Sequence, residues 1–186
     1  MKRIWYFVRF VFILSLLGLS SCSEDVENLY SGYLARFTYK YVNTVPPLYS
    51  ALNSLGVFAT IQADRGTYVF KDESGNKTTV NITAEDQNQH YYLGIAGFIV
   101  GLPNIPELGA TTSTPVCYDL ACPNCYENLH IQKTLTLEVG GFASCQSCGR
   151  VYNLNNQGLV SEGDGGISLY RYRMSYSGNT LMINNQ

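Results

Sequence analysis

The stretches Cys122-Pro-Asn-Cys125 and Cys145-Gln-Ser-Cys148-Gly149 form the most specific pattern in this chain of 186 residues. Each is a C-x-x-C motif, a turn in which two thiolates can point at one ion while backbone N–H groups bond to the sulfurs. Nineteen residues separate the two motifs, and this spacing is typical of paired zinc-ribbon-like knuckles. The sequence therefore predicts one metal site with four ligands, Cys122, Cys125, Cys145 and Cys148.

The chain around these motifs consists of short apolar runs that end at Gly, Pro or Asn. In residues 33–42 the side chains of Phe37, Tyr39 and Tyr41 alternate with polar ones, which is the period-two pattern of a half-buried strand. The apolar run 91–101 is too short to cross a bilayer and predicts a buried strand pair or corner. The remaining expected elements are a helical turn at 48–55 and strands at 57–62, 67–71, 78–83, 116–120, 133–139, 142–144, 150–154, 167–173 and 179–183. Many short strands with turns between them predict an all-β domain.

The N-terminus has the layout of a lipoprotein signal peptide. Lys2 and Arg3 form a positive start, and residues 10–19 are an apolar run that is too short to remain as a membrane-spanning helix. The sequence Leu19-Ser-Ser-Cys22 matches a bacterial lipobox, in which the thiol of Cys22 is acylated and Cys22 becomes the first residue. The alternative is an ordinary signal peptide with an accidental cysteine at this position.

These features predict a signal peptide at 1–21, a lipidated cysteine with a polar tether at 22–32, and a single domain at 33–186. Ser23 after Cys22 resembles the sorting pattern of outer-membrane lipoproteins. We therefore expect acyl chains to hold the protein on the periplasmic face of that membrane or at the cell surface. The signal contains three of the 12 basic residues and no acidic ones, so its removal changes the formal charge from −2 to −5. An acidic domain of this kind is not expected to bind nucleic acid.

Disulfide bonds are the alternative to a metal, because cysteines of an exported chain can be oxidised. Pairing across the motifs, for example Cys122 with Cys145, is geometrically easier than closing a loop within one motif. Cys117 lies outside the motifs, and we interpret it as a small apolar residue buried in a strand.

The four thiolates suit Zn²⁺, a single rubredoxin-like iron or an all-cysteine [2Fe–2S] cluster. Export favours zinc, because a chain that is threaded unfolded through a membrane cannot carry a preassembled cluster, whereas zinc is captured afterwards. A four-thiolate zinc site has no open position for water, so it is structural. We therefore expect no enzymatic activity from this site.

From about residue 55 to its end, the chain resembles the Rieske iron–sulfur domain family, especially its divergent exported members. The resemblance rests on YDLACP at 118–123, on CQSCG at 145–149, and on the strand and turn at 150–158. The segments 169–172 and 181–183 fit the end of the domain. The resemblance implies small antiparallel sheets or a β-sandwich, with two metal-knuckle loops.

In that family two thiolates bind one iron and two imidazoles bind the other. Cys122 and Cys145 match the two thiolate positions of the family. Asn124 and Cys148 occupy the two imidazole positions, so both imidazole ligands are missing. Cys125 and Cys148 are the residues that could replace them as metal ligands. The metal-loop subdomain is expected at about 117–155. The resemblance thus extends to the fold rather than to high-potential electron transfer.

Four other residues are of types that can bind a metal ion. Asp119 and Glu127 flank the first motif, and we expect them to be solvated or to stabilise a turn. His130 and His90 have no metal-site spacing and are interpreted as surface residues.

Two functions remain open at this point. One is a non-enzymatic, membrane-anchored lipoprotein whose domain serves binding or assembly, with zinc as a staple. The other is an electron-transfer protein with a redox partner, carrying an iron centre on the same cysteines. A thiol–disulfide exchanger at Cys122 and Cys125 is disfavoured, because it needs a helix N-terminus and the surroundings predict strands.

Overall fold

The computed structural model describes residues 29–185, in which strands predominate over helices. The prediction of an all-β fold is confirmed. The strands are β1 Ala35–Tyr39, β2 Val57–Asp64, β3 Thr67–Asp72, β4 Lys77–Asn81, β5 Tyr92–Leu93, β6 Phe98–Leu102, β7 Val116–Asp119, β8 Thr136–Glu138, β9 Phe142–Ser144, β10 Val151–Asn153, β11 Leu159–Glu162, β12 Arg171–Tyr172, β13 Met174–Ser177 and β14 Thr180–Asn184. The helices are α1 Pro46–Asn53, α2 Ala84–Asn88 and α3 Pro123–Leu129, with a 3-10 turn at Val42–Thr44.

The strands form three antiparallel sheets. The terminal sheet has the order β13-β14-β1-β5, and it joins the first described strand to the last, with Tyr39 opposite Leu181. The central sheet has six strands in the order β12-β7-β6-β2-β3-β4. The small sheet has the order β11-β10-β9-β8 and carries the second cysteine motif in the connection between β9 and β10.

The strands β6 and β7 of the central sheet are buried on both faces, and their alternating side chains divide the interior into two cores. In β6, Phe98 packs into one core and Ile99 into the other; in β7, Cys117 and Tyr118 divide in the same way. The aromatic core consists of Ala35, Phe37, Tyr39, Val42, Val45, Leu48, Leu52, Ile61, Tyr68, Phe70, Phe98, Val100, Cys117, Tyr172, Leu181 and Ile183. The sulfur core consists of Phe58, Ile99, Val116, Tyr118, Leu120, Cys122, Cys125, Leu135, Ala143, Cys145, Tyr152, Leu154 and Leu169.

The local predictions succeed where one face of a strand is buried and fail near strand ends. Phe37 and Tyr39 are buried as expected, but Tyr41 is exposed because β1 ends before it and the chain enters the 3-10 turn. The run 91–101 is a strand pair, β5 and β6, as predicted. The expected strand at 167–173 is regular only in β12. The elements α2, α3, β11 and β13 were not predicted.

The first described residues contact the domain. The backbone N–H of Ser31 donates to the carbonyl of Arg171 at 2.8 Å. The guanidinium groups of Arg171 and Arg173 lie 5.7 and 4.6 Å from the ring centre of Tyr30. Cys22 and the predicted signal peptide lie outside the described residues. None of the helices within residues 29–185 is long and apolar enough to cross a bilayer.

Candidate metal centre

The structure brings the four predicted cysteines together. Their Sγ atoms all lie within 4.8 Å of one another. The Sγ atoms of Cys122 and Cys148 are 3.7 Å apart, and so are those of Cys125 and Cys145. Three of the sulfurs are buried, and Cys148 is half-buried. A tetrahedron with a zinc–sulfur distance of about 2.3 Å has edges of about 3.8 Å, so the spacing suits one tetrahedral ion.

The first pair is positioned by the start of α3. Cys122 is the N-cap residue and Pro123 the first helical residue, where its missing N–H costs no helical hydrogen bond. The carbonyl of Cys122 accepts from the N–H of Tyr126 at 3.1 Å, and its sulfur accepts from the N–H of Cys125. The expectation that strands surround this motif was therefore wrong, since the motif opens a seven-residue helix.

The second pair lies in the tight connection between β9 and β10. The N–H of Cys145 donates to the carbonyl of Arg150 at 2.9 Å, and the N–H of Gly149 donates to the carbonyl of Cys145 at 2.8 Å. Gly149 has a φ of 72°, a left-handed conformation that glycine adopts without steric cost. The glycine directly after the motif therefore lets the chain reverse so that both sulfurs face α3.

A tyrosine and an asparagine surround the sulfur of Cys122. The hydroxyl of Tyr152 lies 3.2 Å from that sulfur and accepts from the Nδ2 of Asn124 at 2.9 Å. When Cys122 is a thiolate, which has no hydrogen to give, the Tyr152 hydroxyl is the donor of this hydrogen bond, and it opposes the rise that burial causes in the pKa of Cys122. The amide of Asn124 also exchanges two hydrogen bonds of 3.0 Å with the backbone of Ile167. The side chain of Asn124 therefore joins α3 to the segment before β12.

The sulfurs differ in their protonation. Burial raises the pKa of Cys122, and it raises the pKa of Cys125 to about 12, with the neighbouring cysteines adding to the effect. Partial burial also raises the pKa of Cys148, but hydrogen bonds from the backbone N–H and guanidinium of Arg150 outweigh it and lower the pKa to about 7. The buried sulfurs therefore need the charge of a bound cation to become thiolates.

Asp119, just before the first motif, is fully buried rather than solvated. Its carboxylate accepts from the hydroxyl of Tyr172 and from the backbone N–H groups of Ile95 and Ala121, each at 2.7 Å. Burial raises its pKa, and these hydrogen bonds oppose the rise. The expected turn-stabilising role is thus seen in a buried setting. One carboxylate joins the chain next to Cys122 to the aromatic core, which sequence reasoning missed.

The other singled-out residues lie outside the four-sulfur group. Cys117 is a buried free cysteine of β7, as expected. His130 ends α3 and is exposed, and His90 is exposed as well. Glu127 accepts from the hydroxyls of Tyr33 at 3.1 Å and Tyr170 at 2.5 Å, and these bonds lower its pKa.

The donor set and the spacing limit what the site can hold. Separations of 3.7 Å between sulfurs are far longer than the roughly 2.05 Å of a disulfide bond, and the described cysteines are all free. Four soft sulfur ligands favour zinc or iron over calcium or magnesium. In a two-iron cluster the second iron and the bridging sulfides would separate thiolates on different irons further, so the arrangement fits a single ion better.

No family model, curated protein or solved structure matches this chain. The assignment of a function therefore depends on the residues and geometry of the chain itself.

Proposed function

We propose that this protein is an exported, membrane-anchored lipoprotein whose domain is stapled by a structural zinc ion at Cys122, Cys125, Cys145 and Cys148. The observation that carries the proposal is the convergence of four sulfurs within 4.8 Å, three of them buried. A closed site of this kind offers no position for water or substrate, so the domain serves binding or assembly rather than catalysis.

The need for a staple follows from the size of the elements around the site. The strands β8, β9 and β10 have three residues each and α3 has seven. Such short elements bury little apolar surface and are marginal without a cross-link. A zinc ion that joins α3 to the connection between β9 and β10 supplies that cross-link.

A Rieske-like scaffold is part of the proposal. In its support, two loops present one C-x-x-C motif each, face each other and lie among small antiparallel sheets, which is the arrangement that the resemblance implies. Asn124 has its amide engaged by Ile167 and Tyr152, and Cys125 supplies the sulfur instead. Thiolates in place of the family's imidazole ligands give a site of four sulfurs, which supports a structural ion on this scaffold.

The membrane anchor is inferred from the leader sequence alone. The inference is supported by the order of three features: positively charged residues at the N-terminus, an apolar stretch, and the lipobox-like sequence Leu19-Ser-Ser-Cys22. The described domain begins a few residues after Cys22, so a short tether would hold it close to the outer membrane, on its periplasmic face or at the cell surface.

Electron transfer by an iron ion in the same site is the second candidate. Two observations favour it: Cys148 is half-buried, which brings one ligand near solvent and a redox partner, and the hydroxyl of Tyr152 donates to the sulfur of Cys122. Hydrogen bonds to sulfur and solvent exposure are the means by which proteins set the potential of iron–sulfur centres.

Metal analysis of the protein purified without oxygen tests the proposal. We expect one zinc per chain, no visible absorbance, and loss of the metal in Cys125→Ser. The matched control is Cys117→Ala, which removes a buried cysteine outside the group and should keep its zinc. Iron with visible absorbance would establish the second candidate, and disulfides without metal would refute both.

The anchor needs a separate test. Mass spectrometry of the mature N-terminus should find an acylated Cys22, and Cys22→Ala should release the protein from the membrane fraction. Cleavage elsewhere with an unmodified Cys22 would contradict the lipoprotein assignment and leave the metal site unaffected.

A further inference from the structure

A small cavity of about 170 Å³ lies at the margin of the aromatic core, between the terminal sheet and the edge of the central sheet. The end of β1 forms one wall, β3 and β4 form another, and α2 covers it. The principal lining side chains are Tyr39, Tyr41, Tyr68, Asn81, Asp86 and Tyr91. None of the lining residues belongs to the sulfur core, so this site is independent of the metal centre.

The hydroxyl of Tyr68 is the clearest sign of a ligand. Tyr68 is only 3% exposed, and its hydroxyl has no hydrogen-bond partner among residues 29–185. The hydroxyl is not one of the fully buried atoms without a partner, so it opens into the cavity that Tyr68 lines. A phenol hydroxyl can both donate and accept hydrogen bonds, and those of Tyr68 are left to whatever occupies the cavity. Because Tyr68 lines the cavity, a ligand there can supply the missing partner.

A carboxylate lies near the same hydroxyl. Burial, the larger cause, and the nearby charge of Asp86 together raise the pKa of Tyr68 to about 12. Burial and Asp86 likewise raise the pKa of Tyr39 and of Tyr91, so all three phenols stay protonated. The Oδ2 atom of Asp86 accepts from the backbone and the hydroxyl of Thr83, at 2.9 and 2.8 Å, so Oδ1 can face a ligand.

The mouth of the cavity combines an aromatic ring with charged groups. Tyr41 is 62% exposed, and its ring packs edge-to-face on Tyr39 with 6.3 Å between the ring centres. The Nζ of Lys40 lies 3.4 Å from the Oε1 of Glu85, which joins β1 to α2 across the cavity. Tyr41 can therefore cover the apolar face of a ring-shaped ligand that is held by polar groups further inside.

We propose that this cavity binds one ring of a neutral carbohydrate. Such a ligand both donates and accepts hydrogen bonds, so it can accept from the hydroxyl of Tyr68 and donate to Asp86. Its apolar C–H face suits the ring of Tyr41. The volume is below the range of pockets for drug-sized ligands and suits a single ring. A quaternary ammonium ion, which the carboxylates would also attract, could accept no hydrogen bond from Tyr68.

Titration of the full-length protein with D-glucose, D-galactose, D-mannose, D-xylose and N-acetylglucosamine, followed by saturation-transfer NMR, tests the proposal. At least one of these sugars should bind. Tyr68→Phe removes only the unpartnered hydroxyl and should weaken that binding about tenfold, the equivalent of one hydrogen bond. Tyr41→Ala should also weaken it. The control Tyr92→Phe removes an exposed hydroxyl from β5, outside the cavity, and should leave the affinity unchanged.

The unfolding temperature distinguishes lost binding from lost folding. Tyr68→Phe should unfold at the wild-type temperature, because the hydroxyl has no protein partner to lose. The proposal is refuted if none of the five sugars binds, if Tyr68→Phe binds as wild type does, or if choline binds in place of the sugars. These outcomes do not depend on which metal the cysteines hold.

Discussion

The two cores of this protein differ in composition: one is rich in aromatic side chains, and the other contains three of the four clustered cysteines. The aromatic core lies between sheets whose strands β1, β2, β3 and β6 have five to eight residues, and it contains stacked and edge-to-face rings around Phe37 and Phe98. The sulfur core lies between the other face of the central sheet, which contributes Phe58, Ile99 and Tyr118, and the strands β8 to β11, which have three or four residues each. We therefore expect burial to stabilise the aromatic core, and the proposed metal to contribute most to the sulfur core.

The difference shows what a metal centre can replace in a small domain. Long strands provide both a ladder of hydrogen bonds and a wide apolar face. Around β8 to β10, where the strands are short and joined by turns, we expect four sulfurs bound to one ion to hold the segments in place. The following predictions test whether the two cores depend on different sources of stability.

The largest effect is expected from removal of the metal. Structural zinc contributes on the order of 10 kcal/mol of apparent binding free energy, so a strong chelator should lower the free energy of unfolding by more than about 5 kcal/mol. Hydrogen exchange should show lost protection first at the amides of Cys145 and Gly149, which bond within the knuckle. Protection of β2 and β3 should persist, and simultaneous loss in both cores would show that they are one cooperative unit.

The reciprocal change is Phe98→Ala in the aromatic core. Phe98 is fully buried, so truncation of its ring should cost about 3–5 kcal/mol of unfolding free energy. The zinc content should stay at the wild-type level, because the Phe98 ring packs away from the cysteines. Denaturant unfolding and metal analysis of the same sample check both statements. Loss of zinc from the folded variant would mean that the aromatic core positions the knuckles.

A smaller effect is expected from Tyr152→Phe inside the sulfur core. The change removes the hydroxyl that donates to the sulfur of Cys122 and accepts from Asn124. Loss of such an outer hydrogen bond should weaken zinc binding about tenfold or more. Competition with a chelator measures this change. The control is Tyr118→Phe, a buried tyrosine of the same core whose hydroxyl donates to the carbonyl of Leu154 instead.

The smallest effect is expected at the surface of α3. Hydrogen bonds from the hydroxyls of Tyr170 and Tyr33 lower the pKa of Glu127 in the folded protein. A lowered carboxylate pKa stabilises the fold above the unfolded pKa and loses that contribution as the pH falls through the folded value. Glu127→Gln should therefore lower the unfolding temperature slightly at neutral pH. The difference from wild type should shrink as the pH falls below the ordinary glutamate pKa and through the lowered pKa of the folded state.

Glu138→Gln is the control for this titration, because it removes an exposed carboxylate from β8. If the unfolding temperature of Glu127→Gln differs from that of wild type by the same amount at every pH, the charge of Glu127 contributes nothing to stability.

Sequence reasoning worked where a pattern is local. The alternation around Phe37 predicts β1 because one face of that strand is buried, and the spacing of the cysteines predicts which four sulfurs meet. It missed α3, because this short helix has no apolar period and is set by its N-cap and Pro123. It left open whether Asp119 is solvated or stabilises a turn, and it missed the hydrogen bond from Tyr172, which lies 53 positions away, a separation that no local pattern reveals.

The pairing of β1 with β14 determines when this molecule can fold. Tyr39 lies opposite Leu181, so more than 140 residues must follow the first strand before its partner exists. Leu181 and Ile183 also fill the aromatic core, so the core stays incomplete until the last strand has been synthesised. Pairing over such a distance is slow to form. A chain that ends before Leu181 therefore cannot pair β1 with β14 and leaves the aromatic core incomplete.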